Sequence, residues 1–188
     1  MMNILWDFDG TIFDTYPAYT RIFQKFTLHD VSVKEVQSHL KVSFTHAIQH
    51  FQLSKEQEEQ LRKECRSISP SEVFPFPFVE EVLKASNTNV IMTHKERKEV
   101  EEILAFHGMA KYFSGMVTGD DGFPRKPDAS SYRYLHERHS LHLSIGDREL
   151  DVIPAKEIGL KTCLFQNRVG KADYYLDSFE DFFKIVNL

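Results

Sequence analysis

Asn3-Ile4-Leu5-Trp6-Asp7-Phe8-Asp9-Gly10-Thr11 decides how the rest of the chain is read. The stretch is short and largely apolar up to Phe8, and Asp9-Gly10-Thr11 is a turn signal. It predicts a buried strand whose C-terminal end carries two carboxylates, Asp7 and Asp9.

Outward from this strand, between about Tyr16 and Pro75, the apolar period becomes helical. Tyr19, Ile22, Phe23 and Phe26 fall at i, i+3, i+4 and i+7, as do Phe44, Ala47, Ile48 and Phe51. Val33, Val36 and Leu40 keep that period, and so do Leu61, Cys65 and Ile68. Ser32 with Glu35, and Ser54 with Gln57, have the spacing of capping boxes at two helix starts. The segment predicts a small bundle of about four helices. Phe74-Pro75-Phe76-Pro77 then forces extended backbone, because proline removes a donor and restricts its predecessor.

Beyond residue 76 strands and helices alternate. Strands are predicted at 89–92, 115–118, 143–145, 161–165 and 174–176. Helices are predicted at 79–85, around Val100, Ile103, Leu104 and His107 with Gly108 as a stop, and at 129–137, 151–158 and 179–185. Alternation of this kind implies a parallel sheet with right-handed crossovers. The expected class is therefore α/β, a Rossmann-like parallel sheet with helices on both faces plus a small all-helical insertion. Residues 1–15 and 76–188 form the expected core domain, and 16–75 the insertion.

Parallel sheets place their sites at the C-terminal ends of strands. Asp7 and Asp9 follow the first strand and Thr93 the second. Lys126 follows the third and opens a helix, with Pro127 in its first turn. Asp147, and Asp151 one turn later, follow the fourth. Singly, these are ordinary residues: a turn aspartate, a helix cap, a solvated lysine. Together they bring carboxylates, a hydroxyl and an ammonium to one sheet edge. Clustered carboxylates cost stability unless cations neutralise them. Hard oxygen ligands without a Cys or His pattern favour magnesium, Mg2+. Magnesium beside a carboxylate nucleophile suits phosphoryl transfer.

The stretch Asp7-Phe8-Asp9-Gly10-Thr11-Ile12-Phe13-Asp14-Thr15 resembles the first motif of the haloacid dehalogenase-like hydrolases. Thr93, Lys126-Pro127 and Gly146-Asp147-Arg148-Glu149-Leu150-Asp151 resemble its second, third and fourth motifs, in the family's order. The resemblance covers the core from Asn3 to about Phe165 and points to the phosphatase branch, with its phosphoglycolate phosphatase and β-phosphoglucomutase-like members. It implies Asp7 as nucleophile, forming an aspartyl-phosphate, and Asp9 as general acid and then general base. Thr93 and Lys126 would hold the phosphoryl oxygens, with Gly10 and His94 beside them. Asp7, Asp147 and the backbone carbonyl of Asp9 would bind magnesium. Asp151 would support the metal directly, through water, or by pairing with Lys126. The helical insertion would be the cap that closes over the site and selects substrate. Dehalogenases of the family lack the second carboxylate, so Asp9 favours phosphate chemistry, in which the leaving alkoxide needs a proton.

This sequence departs from the family pattern at His94, where Asn is frequent, and at Arg148, where a small residue is common. Both would add positive potential and favour an anionic substrate, or else turn outward as ordinary variation. The motif around Lys126 is matched only in part beyond Pro127. His136, His139 and His142 are closely spaced but lack zinc-protease spacing, and read as a solvated helix end.

The formal net charge of −5 and the absence of a basic stretch argue against nucleic acid as a partner. Residues 3–8 are too short and too acidic for a secretory signal, and no run approaches a membrane span. With Cys65 and Cys163 far apart in the sequence, two buried thiols and a cytoplasmic location are expected. The expected activity is magnesium-dependent hydrolysis of a small phosphorylated metabolite. Alternatives are a phosphomutase on the same motifs and, further off, a phospho-receiver or partner-binding protein.

Overall fold

The computed structural model describes residues 2–27 and 31–186. Six strands form one sheet: β1 Asn3–Trp6, β2 Thr88–Met92, β3 Phe113–Val117, β4 Leu143–Gly146, β5 Lys161–Phe165 and β6 Tyr174–Leu176. Their order is β3-β2-β1-β4-β5-β6, and every pairing is parallel. This is the doubly wound order, in which the path reverses beside β1 and opens a crevice at the carboxyl ends.

The chain separates into two compact units, Met1–Phe13 with Pro75–Leu188, and Asp14–Phe74. Four helices make up the second unit: α1 Tyr16–Phe23, α2 Val33–Val42, α3 Phe44–His50 and α4 Lys55–Arg66. Their apolar stripes meet in a core of Tyr16, Ile22, Phe23, Val36, Leu40, Ala47, Ile48, Leu61 and Cys65. Phe44 stands edge-on to both Tyr19 and Phe23. Ser54 and Gln57 form both halves of a capping box, whereas at Ser32 the hydroxyl accepts the Glu35 N–H as a simple N-cap. Val33, read as part of the stripe, is 52% exposed. It is the first residue of α2, before the helix turns its stripe to the core.

In the first unit α5 Val79–Ala85, α6 Arg97–Phe106, α7 Ser130–His139, α8 Glu149–Glu157 and α9 Phe182–Ile185 accompany the sheet. Successive side chains of β1 point to opposite faces. Leu5 joins a core with Val90, Met92, Tyr132 and Leu135 of α7, and Ala155 of α8. Trp6 packs on Phe179, which stacks on Phe165 at 4.2 Å between ring centres. The predicted helix at 179–185 is a single 3-10 turn, Phe179–Asp181, followed by the four-residue α9.

Two asparagines within the sheet are paired. Asn89 accepts the Trp6 indole N–H at 2.9 Å, and Asn3 donates to the carbonyls of His139 and Ser140. His142, read as solvated, accepts the Asn3 backbone N–H through Nδ1 and so caps the sheet end. Cys65 and Cys163 are both buried free thiols. No helix of the described residues is long and apolar enough to cross a membrane.

Candidate active site

The first carboxylate is placed by β1, whose pairing continues past its end. The Asp7 N–H donates to the Ile145 carbonyl at 2.9 Å. The Phe8 carbonyl then accepts from Thr11, Ile12 and Phe13, closing a tight loop. Gly10 sits in that loop at φ +79°, a conformation that disfavours a Cβ. Its N–H is committed to the Phe13 carbonyl at 2.8 Å. Gly10 therefore shapes the loop, and its own N–H is taken up within it.

The fourth strand end supplies Asp147 and Asp151. A Cβ on Gly146 would stand 2.3 Å from the Asp151 Cβ, so only glycine lets the first turn of α8 lie against the end of β4. Asp151 Oδ2 accepts the Arg148 N–H, which orients the carboxylate. Lys126 joins the ends of β1 and β4. Its Nζ lies 2.6 Å from Asp7 Oδ1 and 2.6 Å from Asp151 Oδ1, and all three side chains are buried. Of the pairings left open for Asp151, the one with Lys126 is formed. Lys126 does not open a helix, however. A turn from Arg125 to Asp128 intervenes, Asp128 Oδ1 accepts the Ser130 N–H, and α7 starts there.

One carboxylate oxygen from each of Asp7, Asp147 and Asp151 lies within 4.8 Å of the other two. Asp7 Oδ2 is buried and has no hydrogen-bond partner. An orphaned carboxylate oxygen among hard oxygen donors fits a divalent cation. The carboxylate of Asp9 is not part of this group; it faces Lys95, with Nζ 3.5 Å from Oδ1. Thr93 is buried, pinned by its N–H to the Val117 carbonyl, and its hydroxyl accepts the Lys95 N–H. That bond leaves the hydroxyl proton available for donation.

The profile of the family described as haloacid dehalogenase-like hydrolase matches residues 4–165. The chain belongs to that family. It is 31% identical over 182 residues to a phosphoglycolate phosphatase of Vibrio parahaemolyticus, covering 83% of this chain and 79% of the relative. A solved hydrolase from Streptococcus pneumoniae is 30% identical, with a TM-score of 0.66 and coverage of 89% of this chain and 94% of that one. A structure from Thermotoga maritima, described as a candidate β-phosphoglucomutase, shares the fold at 19% identity and a TM-score of 0.70, covering 98% and 97%.

Electrostatics in this haloacid dehalogenase-like hydrolase follow from packing two cations among three buried carboxylates. Burial and the neighbouring Asp151 push Asp7 up to about 6, against the pull of Lys126 and Arg148. Burial also opposes the charge on Asp151, but Lys126 and Arg148 outweigh it and hold that carboxyl below its ordinary value. Lys126, likewise desolvated, is held above the usual lysine range by Asp151 and Asp7.

The two departures from the family pattern resolve differently. Arg148 turns inward: its guanidinium is 3.9 Å from Asp7, 3.5 Å from Asp147 and 3.7 Å from Asp151. His94 brings no positive charge. Burial, then Lys126, Arg125 and Arg148, lower it to about 3, and its Nε2 accepts the Lys126 backbone N–H at 3.0 Å. In this geometry it holds the lysine loop.

Sequence reasoning missed Lys95 and Gly119. Lys95 is half-buried and bridges Asp9 and Glu99, and the i,i+4 spacing to Glu99 was a legible signal. A Cβ on Gly119 would meet the His94 carbonyl at 2.3 Å, a close approach that no local pattern reveals.

Proposed function

We propose that this hydrolase is a magnesium-dependent phosphatase that cleaves a small phosphate monoester through an aspartyl-phosphate on Asp7. Phosphoglycolate is the first substrate class to test, given the Vibrio relative. The reading rests on one observation above all. Lys126 holds one oxygen of Asp7 and leaves the other buried and unpaired, beside Asp147 and Asp151.

Asp7, Asp147 and the backbone carbonyl of Asp9 would hold the magnesium ion, with Asp151 in support. Bound there, the ion would neutralise the carboxylates and draw charge from the phosphoryl oxygens. The ionised Asp7 attacks phosphorus and the ester P–O bond breaks. Asp9 donates its proton to the leaving alkoxide. Asp9, now a base, takes a proton from water, whose oxygen attacks the phosphorus of the acyl phosphate. Inorganic phosphate leaves and Asp7 is restored. Lys126 and the Thr93 hydroxyl bind the phosphoryl oxygens while charge redistributes among them. The helical unit acts as the substrate-selecting cap.

Hydrolysis of phosphoglycolate and p-nitrophenyl phosphate, with and without Mg2+, tests this in native protein and Asp7→Asn. Magnesium-dependent phosphate release that disappears in the variant is the expected result. Release that persists in Asp7→Asn would remove the covalent assignment. Formation of an isomeric phosphate ester from a sugar phosphate, without free phosphate, would make the enzyme a mutase.

A further inference from the structure

The helical unit carries a second cluster of metal-ligating side chains, of a different chemical kind. His46 and His50 are four apart on α3 and so project from one face of that helix. His39 comes from the last turn of α2 and meets both. His39 Nδ1 is 3.0 Å from His46 Nε2. The His39 and His50 rings stack at 3.5 Å between centres, and those of His46 and His50 lie 6.3 Å apart. Phe51 stands edge-on to His39 and His50 and walls one side.

We propose that His39, His46 and His50 form a binding site for one transition-metal ion of the zinc class, separate from the carboxylate site. The donor set decides the class, since imidazole nitrogens suit zinc, nickel and copper, while carboxylates suit magnesium. The His39–His46 spacing is close to what such an ion needs. Two nitrogens bound tetrahedrally to one zinc stand about 3.3 Å apart, so the His39 and His46 nitrogens need only spread slightly. Ligation requires neutral imidazoles. Burial, then His50 and His46, lower the His39 pKa.

His50 lies face to face with His39, so its nitrogen must swing into the shared plane. It is exposed at the end of α3, where a rotamer change meets little resistance. Glu35, one turn before His39 on α2, lies close enough to act on the His39 charge. An ion so held ties α2 to α3 across the Ser43 junction, where both helices have their caps.

Calorimetric titration of Zn2+ into chelator-treated protein, with saturating Mg2+ present, tests the site. Visible absorption of Co2+ in place of Zn2+ reports the nitrogen ligands. A single saturable equivalent is expected. It should weaken at least about tenfold in each of His39→Gln, His46→Gln and His50→Gln and persist in Asp147→Asn, which disables the carboxylate site. No saturable uptake by native protein would overturn the proposal, as would uptake unchanged in all three histidine variants. Circular dichroism checks that each variant folds. His50→Asn, at an exposed position, serves as the surrogate if His39→Gln or His46→Gln does not.

Discussion

The two units of this hydrolase invest their buried volume differently. Among the described residues every buried charged side chain, Asp7, Lys126, Asp147 and Asp151, lies in the α/β unit. Among its described residues the helical unit buries apolar side chains with only Thr15 and Thr20 among the polar ones, and its ion pairs, such as Lys25 with Glu64, lie at the surface. Burying charge is expensive unless the groups are paired, and breaking such a pair is worse than never making it. The α/β unit therefore holds its polarity under constraint, in the manner of a site that does chemistry, while the helical unit is stabilised by ordinary apolar packing.

The sharpest break in this comparison is Asp7→Asn. It should lower phosphatase turnover by on the order of a thousandfold or more, measured at saturating substrate. Next comes Lys126→Met, which leaves Asp7 and Asp151 facing each other without their shared cation. A loss of about 3–5 kcal/mol is expected in metal-free protein by urea denaturation. Lys25→Met, which breaks an exposed pair in the helical unit, should cost under about 1 kcal/mol in the same assay. If the two lysines cost the same, the contrast between the units fails.

Linkage to pH is smaller but of fixed sign. The folded-state pKa of Asp7, about 6, exceeds its ordinary value of 3.8. The stability this group contributes to metal-free protein is present below pH 4 and is lost as pH rises toward 6. Magnesium competes with that proton, so its affinity should fall as pH drops through about 6, which calorimetry at a series of pH values reads directly. The smallest effect is expected from Ser54→Ala. Loss of the capping box at α4 should lower unfolding stability by about 1 kcal/mol and leave magnesium affinity unchanged.

Much of the fold was legible because periodicity is a local property. The helix 79–85 and the strands 161–165 and 174–176 match their observed bounds, since Val79, Val82 and Leu83 keep the helical period and each strand is a short, mainly apolar run. Lys126-Pro127 was misplaced for the opposite reason. Proline after a polar residue looks like a helix start, but the turn from Arg125 to Asp128 comes first and α7 starts only at Ser130. Gly10 was read beside the phosphoryl group from the family resemblance, and only the structure shows that its N–H closes the loop onto the Phe13 carbonyl.

By itself the sequence determined the alternating α/β order, the helical insertion, and the residue types that stand at the strand ends. These follow from hydrophobic period and turn chemistry over a few residues. Tertiary structure alone decided which groups meet. Lys126 reaches Asp7 across 119 residues of chain and Asp151 across 25. The inward turn of Arg148, the neutral His94, the Lys95 partner of Asp9 and the meeting of His39 with His46 were decided there too. Charge state and pairing depend on burial and on neighbours brought together by folding, and neither quantity is carried by a residue's place in the chain.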